Sequence, residues 1–454
     1  MPHVTFVPLV GFRVREAEML ELGMSLPGLQ DRARAIGQLP ALGLLTLAGM
    51  LPQDWTCDYL PLDTINQDAV DRILTNRPDL VAISALAASV LDAYRLSEQL
   101  RSTGVPTVIG GLHATAMPDE AARFCDAVVV GSAESVWHEV LSDARTGHLC
   151  KVYDARKRPA PIAWSTPRFD LLSHDVSRYT LQTQRGCPLA CDFCAASRLL
   201  GGFVEKPAER IDEELQAIGR LSPRPAIELA DDNTFAGTRP PEELFDVLER
   251  SGARYFTEAD WRIGERPDVL AGLARSGCLQ VLMGVESLVF RYPGMGQKQA
   301  ELDRVLASVE RIQAAGVAVN GCFILGADGE TRASIDRLVD FLLTSPFADI
   351  QITLQTPFPG TQLRRRLSDQ GRLLEDRDWS HYTLFDVTYR PDRMSVEELE
   401  QVFRDVLRAV FSNAATQRRN CIRRDVWRKG RALRSKSRSN KLPVEAGTHP
   451  CQTP

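Results

Sequence analysis

The chain has 454 residues, 44% hydrophobic and 25% charged, with a net charge of −5, which is ordinary for a globular protein of two or three domains. No apolar run reaches the roughly 18 residues of a membrane-spanning helix, and no basic segment leads into an apolar core at the N-terminus. Ten cysteines scattered over this length do not make a disulfide framework, so a reducing, cytoplasmic setting is expected.

Through residue 150, apolar runs at Val4–Val10, Cys57–Leu62, Leu80–Leu86, Val105–Gly110 and Asp126–Val130 alternate with helical patterns such as Leu39–Leu51 and Val90–Arg101. Continuously apolar strands separated by helices predict an α/β fold, here a Rossmann-like, doubly wound parallel sheet over residues 1–150. Ligands of such sheets sit at the carboxyl ends of the strands. The expected rim is therefore Val10–Arg13, Ser84–Leu86, Gly110–His113 and Gly131–Glu134, where Gly110 and Gly111 allow close approach of a ligand to backbone. Residues 151–177, with Pro159, Pro161 and Pro167, read as a linker.

Next, directly after the strand-like run Tyr179–Gln184, comes Arg185-Gly-Cys-Pro-Leu-Ala-Cys-Asp-Phe-Cys194. Cys187, Cys191 and Cys194 stand in CxxxCxxC spacing, with no second pair of metal ligands elsewhere to complete a structural zinc site. A 4Fe-4S cluster normally takes one thiolate per iron, so three leave one iron open to a substrate or cofactor.

Strand–helix alternation then repeats six times over residues 178–394, short of the eight units of a closed barrel, and chemistry is again expected at the carboxyl ends of the strands. Those ends carry Asp231 and Asp232, then Glu258 and Arg262, then Glu286 and Ser287, then Gly326 and Glu330. A capping box, Ser395-Val-Glu-Glu398, opens a C-terminal helix over residues 395–417. Between Arg418 and Lys441 eleven Lys or Arg stand against one acid, Asp425, so residues 418–454 read as a flexible, solvated basic tail on an acidic body. The alternative for the tail is electrostatic contact with that body, a redox partner, a membrane surface or nucleic acid.

The cysteine spacing, with Phe193 just before the last cysteine, resembles the radical S-adenosylmethionine (SAM) enzymes. The resemblance implies a partial six-stranded barrel whose open iron is chelated by the amino and carboxylate groups of SAM. An electron from the cluster then cleaves SAM to a 5′-deoxyadenosyl radical. It also implies that Asp231 and Asp232 receive the SAM ammonium, that Glu286 and Ser287 meet its ribose and carboxylate, and that Gly326 and its neighbours pack adenine. The first 150 residues are similar to the cobalamin-binding domain found in front of such barrels, through Leu39-Pro-Ala-Leu-Gly-Leu-Leu45, Gly110-Gly-Leu-His-Ala-Thr115 and Gly131-Ser-Ala-Glu134. The Asp-x-His-x-x-Gly motif that supplies an axial histidine to cobalt is absent, so His113 is expected in the rim or core.

The function implied is cobalamin-dependent methyl transfer to an unactivated carbon of a small-molecule or peptide substrate, with a flavodoxin or ferredoxin as electron donor and no nucleic-acid partner. Rival readings are a radical SAM rearrangement, cyclisation or methylthiolation, and a non-enzymatic iron–sulfur sensor. Methylthiotransferases carry an extra cysteine triad that this N-terminal half lacks.

Overall fold

The computed structural model describes residues 1–9, 17–26, 29, 39–158, 162, 164–173, 176–199 and 201–439. The predicted rim loop Val10–Arg13 and the end of the tail lie outside them. Strands β1 (His3–Pro8), β2 (Thr56–Tyr59), β3 (Leu80–Ser84), β4 (Thr107–Gly110), β5 (Ala127–Val130) and β6 (Val152–Asp154) form one parallel sheet, in the order β2-β1-β3-β4-β5-β6. Alternate side chains serve opposite helix layers. Val4, Phe6 and Ala82 enter one core with Leu44 and Trp137, while Val7, Val81 and Ile83 enter the other with Val90 and Leu96. Both faces are buried, which is why these strands read as continuous apolar runs.

The sheet extends past its predicted end. β6 pairs with β5 inside the segment read as a linker, anchored by buried Tyr153, whose hydroxyl donates to Asp143 at 2.7 Å. Three residues flanked by charge give no apolar period to detect.

The second sheet runs β14-β13-β12-β11-β10-β7, all parallel. Its strands are β7 (Tyr179–Leu181), β10 (Ala226–Leu229), β11 (Arg254–Glu258), β12 (Cys278–Glu286), β13 (Ala318–Leu325) and β14 (Asp349–Leu354). The expected strand Tyr179–Gln184 is broken after Leu181. Its last residue, Gln184, starts an antiparallel pair, β8 (Gln184–Arg185) with β9 (Val204–Glu205), which closes the base of the cysteine loop. One large core joins the outer face of this sheet to its helices and to the helix Val396–Val410. That helix opens with the predicted capping box, Ser395 and Glu398 each bonding the other's backbone.

The basic segment is helical rather than flexible, over Asn413–Ser439. It crosses the amino ends of the barrel strands. The Trp427 indole N–H donates to the Leu279 carbonyl at 2.8 Å, and Val426 packs with Ala318 and Ala348. Arg418 donates to the carbonyls of Thr344 and Ser345, and Arg434 to that of Ala274, at the carboxyl ends of two barrel helices. Those carbonyls have no intrahelical donor, and a guanidinium is a fitting one. The arginines count as charge in the sequence, but several of them are structural caps.

Candidate active site

The cysteine loop is held at both ends. At its start Asp231, 2% exposed, accepts from the Thr183 N–H (2.7 Å), the Gln184 N–H (3.1 Å), the Thr183 hydroxyl (2.5 Å) and the Thr234 hydroxyl (3.0 Å). These donors replace a strand partner, so the chain turns out of β7 and into the loop. With both oxygens occupied, Asp231 is a positioning residue and not the ammonium acceptor expected from its type. Farther along, the Ala190 and Asp192 N–H groups donate to the carbonyls of Gly294 and Pro293, at 3.1 and 2.9 Å. Gly294 has φ +81°, and a Cβ there would strike the Ala190 carbonyl, so this contact needs glycine. Buried Asp192 pairs with Arg366 at 3.1 Å, and the Phe193 ring meets Tyr292 edge-on at 4.8 Å.

Cys191 is buried, and Cys187 and Cys194 are half-buried. Burial pushes the Cys191 thiol up to about 11 and the Cys187 thiol in the same direction, while Lys298 opposes both shifts. Thiols so placed stay protonated near neutrality unless a cation displaces the proton, as iron does. No three His, Cys, Asp or Glu among the described residues converge on a single ion. One thiolate per iron of a cluster is the arrangement this donor set fits.

Around the loop the predicted rim residues divide. Asp232 faces the cleft without a hydrogen bond of its own, and burial together with Asp231 raises its carboxyl to about 6. Glu286 sits at φ +71° where the β12–β13 register shifts, and this bulge aims it at Lys298, with which it forms an ion pair. Burial works against the Lys298 charge, but Glu286 outweighs it and holds the ammonium above its ordinary value. A side chain on Gly284 would collide with that pair.

Lys298 is the residue that sequence reasoning missed. It lies in a loop with no motif, and nothing in its neighbours signals that it returns to the cysteines. Ser287 turns away, donating to Glu330 at 2.7 Å and accepting from the N–H groups of Val289 and Phe290. Glu330 in turn accepts from the Gly326 N–H at 2.8 Å, and Thr331 caps the next helix. Gly326 lies at φ +91°, and Tyr389 and Leu399 occupy the place where its side chain would stand. Arg262 is engaged by Asp260 through two nitrogens, at 2.8 and 2.6 Å.

A cleft runs from the carboxyl ends of β3, β4 and β5 to Asp232. Gly43, Gly110, Gly111 and Gly131 line it, and Gly111 and Gly131 take φ of +102° and +86°. The bare backbone at these positions suits a broad, flat ligand lying close to the strand ends. His113 does not line the cleft. Its ring is buried, with Nε2 3.2 Å from Glu120 and a T-shaped contact with Trp379 at 4.9 Å. Arg185, two residues before Cys187, crosses to the first sheet and meets Glu134 at 2.7 Å and the Ser132 hydroxyl at 3.3 Å.

The B12 binding domain matches this chain over residues 31–141, and the Radical SAM superfamily over residues 181–342. The chain thus carries a Radical SAM domain with a B12-binding domain ahead of it. This composition implies a 4Fe-4S cluster, SAM and cobalamin. Bacteriochlorophyllide d C-12(1)-methyltransferase of Chlorobaculum tepidum is 28% identical over 372 residues, which is 79% of this chain and 78% of that protein. Among solved structures, the cobalamin-dependent radical SAM enzyme OxsB superposes with a TM-score of 0.65 at 15% identity, over 91% of this chain and 67% of that one. The radical SAM methyltransferase TsrM from Kitasatospora setae does so at 0.62 and 12% identity, over 97% and 100%. These likenesses extend across both sheets and support the two-unit fold. No helix among the described residues is long and apolar enough to cross a membrane.

Proposed function

We propose that this radical SAM enzyme is a cobalamin-dependent methyltransferase acting on an unactivated carbon of a small-molecule or peptide substrate. The observation that carries the reading is the cleft itself: its glycine cradle on the first sheet and Asp232 of the barrel line one space, beside the loop that holds the cysteines. When bound, the cluster and SAM supply a radical that abstracts hydrogen, and cobalamin supplies a transferable methyl group.

The chain's own residues hold and orient these groups. Cys187, Cys191 and Cys194 ligate the cluster. Asp232, the free carboxylate of the Asp231–Asp232 pair, receives the SAM ammonium. The Glu286–Lys298 pair sets the polar end of the SAM site, with Lys298 next to the cysteines and available to a carboxylate. Gly110 and Gly111 let the corrin approach backbone. An external donor of the flavodoxin or ferredoxin type and a cytoplasmic setting belong to the same reading.

Anaerobic reconstitution with iron, sulfide and hydroxocobalamin tests it. A corrinoid spectrum retained through gel filtration, and lost in Gly111→Val, is the expected result. Wild-type protein that takes up no corrinoid would overturn methyl transfer from cobalt.

A further inference from the structure

The concave face of the barrel is unusually polar. Along each strand the residues pointing outward are apolar and sit in the main core: Ile227 and Leu229, Tyr255, Val281 and Met283, Val319 and Phe323, Ile350 and Ile352. Their alternates therefore point into the barrel. Among these are Glu258 of β11, Asn320 of β13 and Gln351 of β14.

The pairing register sets Glu258 beside Leu282 and Leu282 beside Asn320, so Glu258 and Asn320 share a level two strands apart. Gln351 stands one step higher, opposite Cys322. Helix Asn413–Ser439 covers the amino ends of these strands, and the other end meets the cleft.

Three acceptors here lack a donor. Asn320 is 1% exposed, and its Oδ1 is buried without a hydrogen-bond partner; Gln351 Oε1 is in the same condition. Glu258 makes no side-chain hydrogen bond, and burial next to Asp232 and Glu228 raises its carboxyl to about 8. The neighbouring acids are otherwise matched: Glu228 pairs with Arg178 at 2.8 Å, and Glu286 with Lys298. Asp232 is assigned to the SAM ammonium in the proposed function, so Glu258 remains the acid without a partner, a carboxyl that a bound cation would favour in its ionised form. Unsatisfied buried acceptors cost stability, and here all three are met at once by a ligand rich in donors and carrying positive charge.

We infer that the concave face binds a cationic, hydrogen-bond-donating group of the substrate, a protonated amine or guanidinium, through Glu258, Asn320 and Gln351. The inference rests on this face being the substrate side of a radical SAM site, and it does not require that the methyl group come from cobalt.

The test is equilibrium binding to the anaerobically reconstituted protein in the presence of SAM. Two probe pairs separate the sources of such a group: n-propylguanidinium against neutral n-propylurea, and acetyl-Gly-Arg-Gly-amide against its citrulline counterpart. In at least one pair the cation should bind about tenfold tighter than its neutral isostere, the difference between a charge-assisted and a neutral hydrogen bond. Preference confined to the propyl pair marks a small molecule, and preference in the peptide pair marks a peptide side chain. The Glu258→Gln protein should lose that preference, and Glu258→Gln combined with Gln351→Glu should regain part of it by returning a carboxylate to the face. SAM affinity, measured in parallel, should fall less in Glu258→Gln than in Asp232→Asn. The inference is overturned if neither cation is preferred, if Glu258→Gln keeps the preference, or if that variant weakens SAM more than it weakens the probe. Failure of corrinoid uptake with intact cation preference would sink the methyltransferase reading alone.

Discussion

Arg185 and Glu134 form an ion pair, Nη2 to Oε1 at 2.7 Å, with side chains only 15% and 13% exposed. It ties the entrance of the cysteine loop to the loop after β5, so one of the contacts between the two sheets lies directly beside the cofactor loop. A pair this sheltered leaves an unmatched charge when one partner is removed, at a cost of about 1–3 kcal/mol. Arg185→Met should therefore lower the apoprotein's melting temperature by several degrees and loosen retention of corrinoid, while iron content stays near wild type. Corrinoid affinity unchanged in that variant would show that the pair does not align the sheets.

Cys187, Cys191 and Cys194 alone should hold one cluster. Reconstituted protein should contain about four irons per chain, and the triple alanine variant essentially none. Eight irons, or a cluster surviving in the triple variant, would contradict this.

The adjacent carboxylates should behave oppositely. Asp231→Asn can keep an oxygen on the N–H groups of Thr183 and Gln184, but it then puts an amide NH2 against the Thr183 and Thr234 hydroxyls that now donate to the second carboxylate oxygen. Unfolding by denaturant should reveal a loss of about 2–4 kcal/mol, with a lower cluster yield. Asp232→Asn removes a carboxylate that has no partner, so stability should hold or rise while SAM binding weakens. Equal destabilisation by the two substitutions would count against separate roles.

Glu258 gives a pH signature. Its carboxyl lies at about 8 in the fold against an ordinary 4.5, with Asp232, Glu228 and Glu286 facing it and Lys298 partly offsetting them. A folded value above the unfolded one means that ionisation favours the unfolded chain, so stability is lost as pH rises from about 4.5 through 8. Glu258→Gln should thus match wild type at pH 4.5 and melt a few degrees higher at pH 8.5, both without cofactors. A melting difference that does not grow with pH would refute the assignment.

Helix Asn413–Ser439 should be indispensable. A Cβ on Gly430 would collide with the Gly316 carbonyl. Gly430→Val should lower the melting temperature markedly, whereas Lys429→Val, on the exposed side, should not. Truncation after Asn413 should yield an insoluble or much less stable protein. If the truncated protein melts like the full chain, the helix is an ornament of the barrel and not its floor.

The two parallel sheets and the cysteine loop were legible because their signals are local: doubly buried strands are apolar throughout, and three thiolates for one cluster fall within eight residues. The roles of the surrounding side chains were not, because residue type does not tell whether an oxygen is already satisfied. Asp231 and Asp232 are adjacent carboxylates, yet Thr183, Gln184 and Thr234 saturate one and leave the other free. Gly326 reads as an opening for a ligand, but Tyr389, distant in sequence, occupies the space. In the C-terminal helix the buried positions Arg419, Val426, Gly430 and Arg434 recur at helical spacing, but two are arginines and one a glycine, so no hydrophobic period emerges.

The floor of the barrel also has a consequence for biosynthesis. The segment that covers the amino ends of the strands, Asn413–Ser439, is translated after all six strands and after the cysteine loop. Domains fold as units from the amino end as they are made, so the B12-binding sheet can be complete while the barrel still lacks its base. During that interval the nascent barrel exposes Ala318, Ala348 and the carbonyl of Leu279 to solvent. Chaperones and assembly factors that deliver iron would therefore meet a chain whose cysteine loop is present but whose barrel is not yet sealed from below.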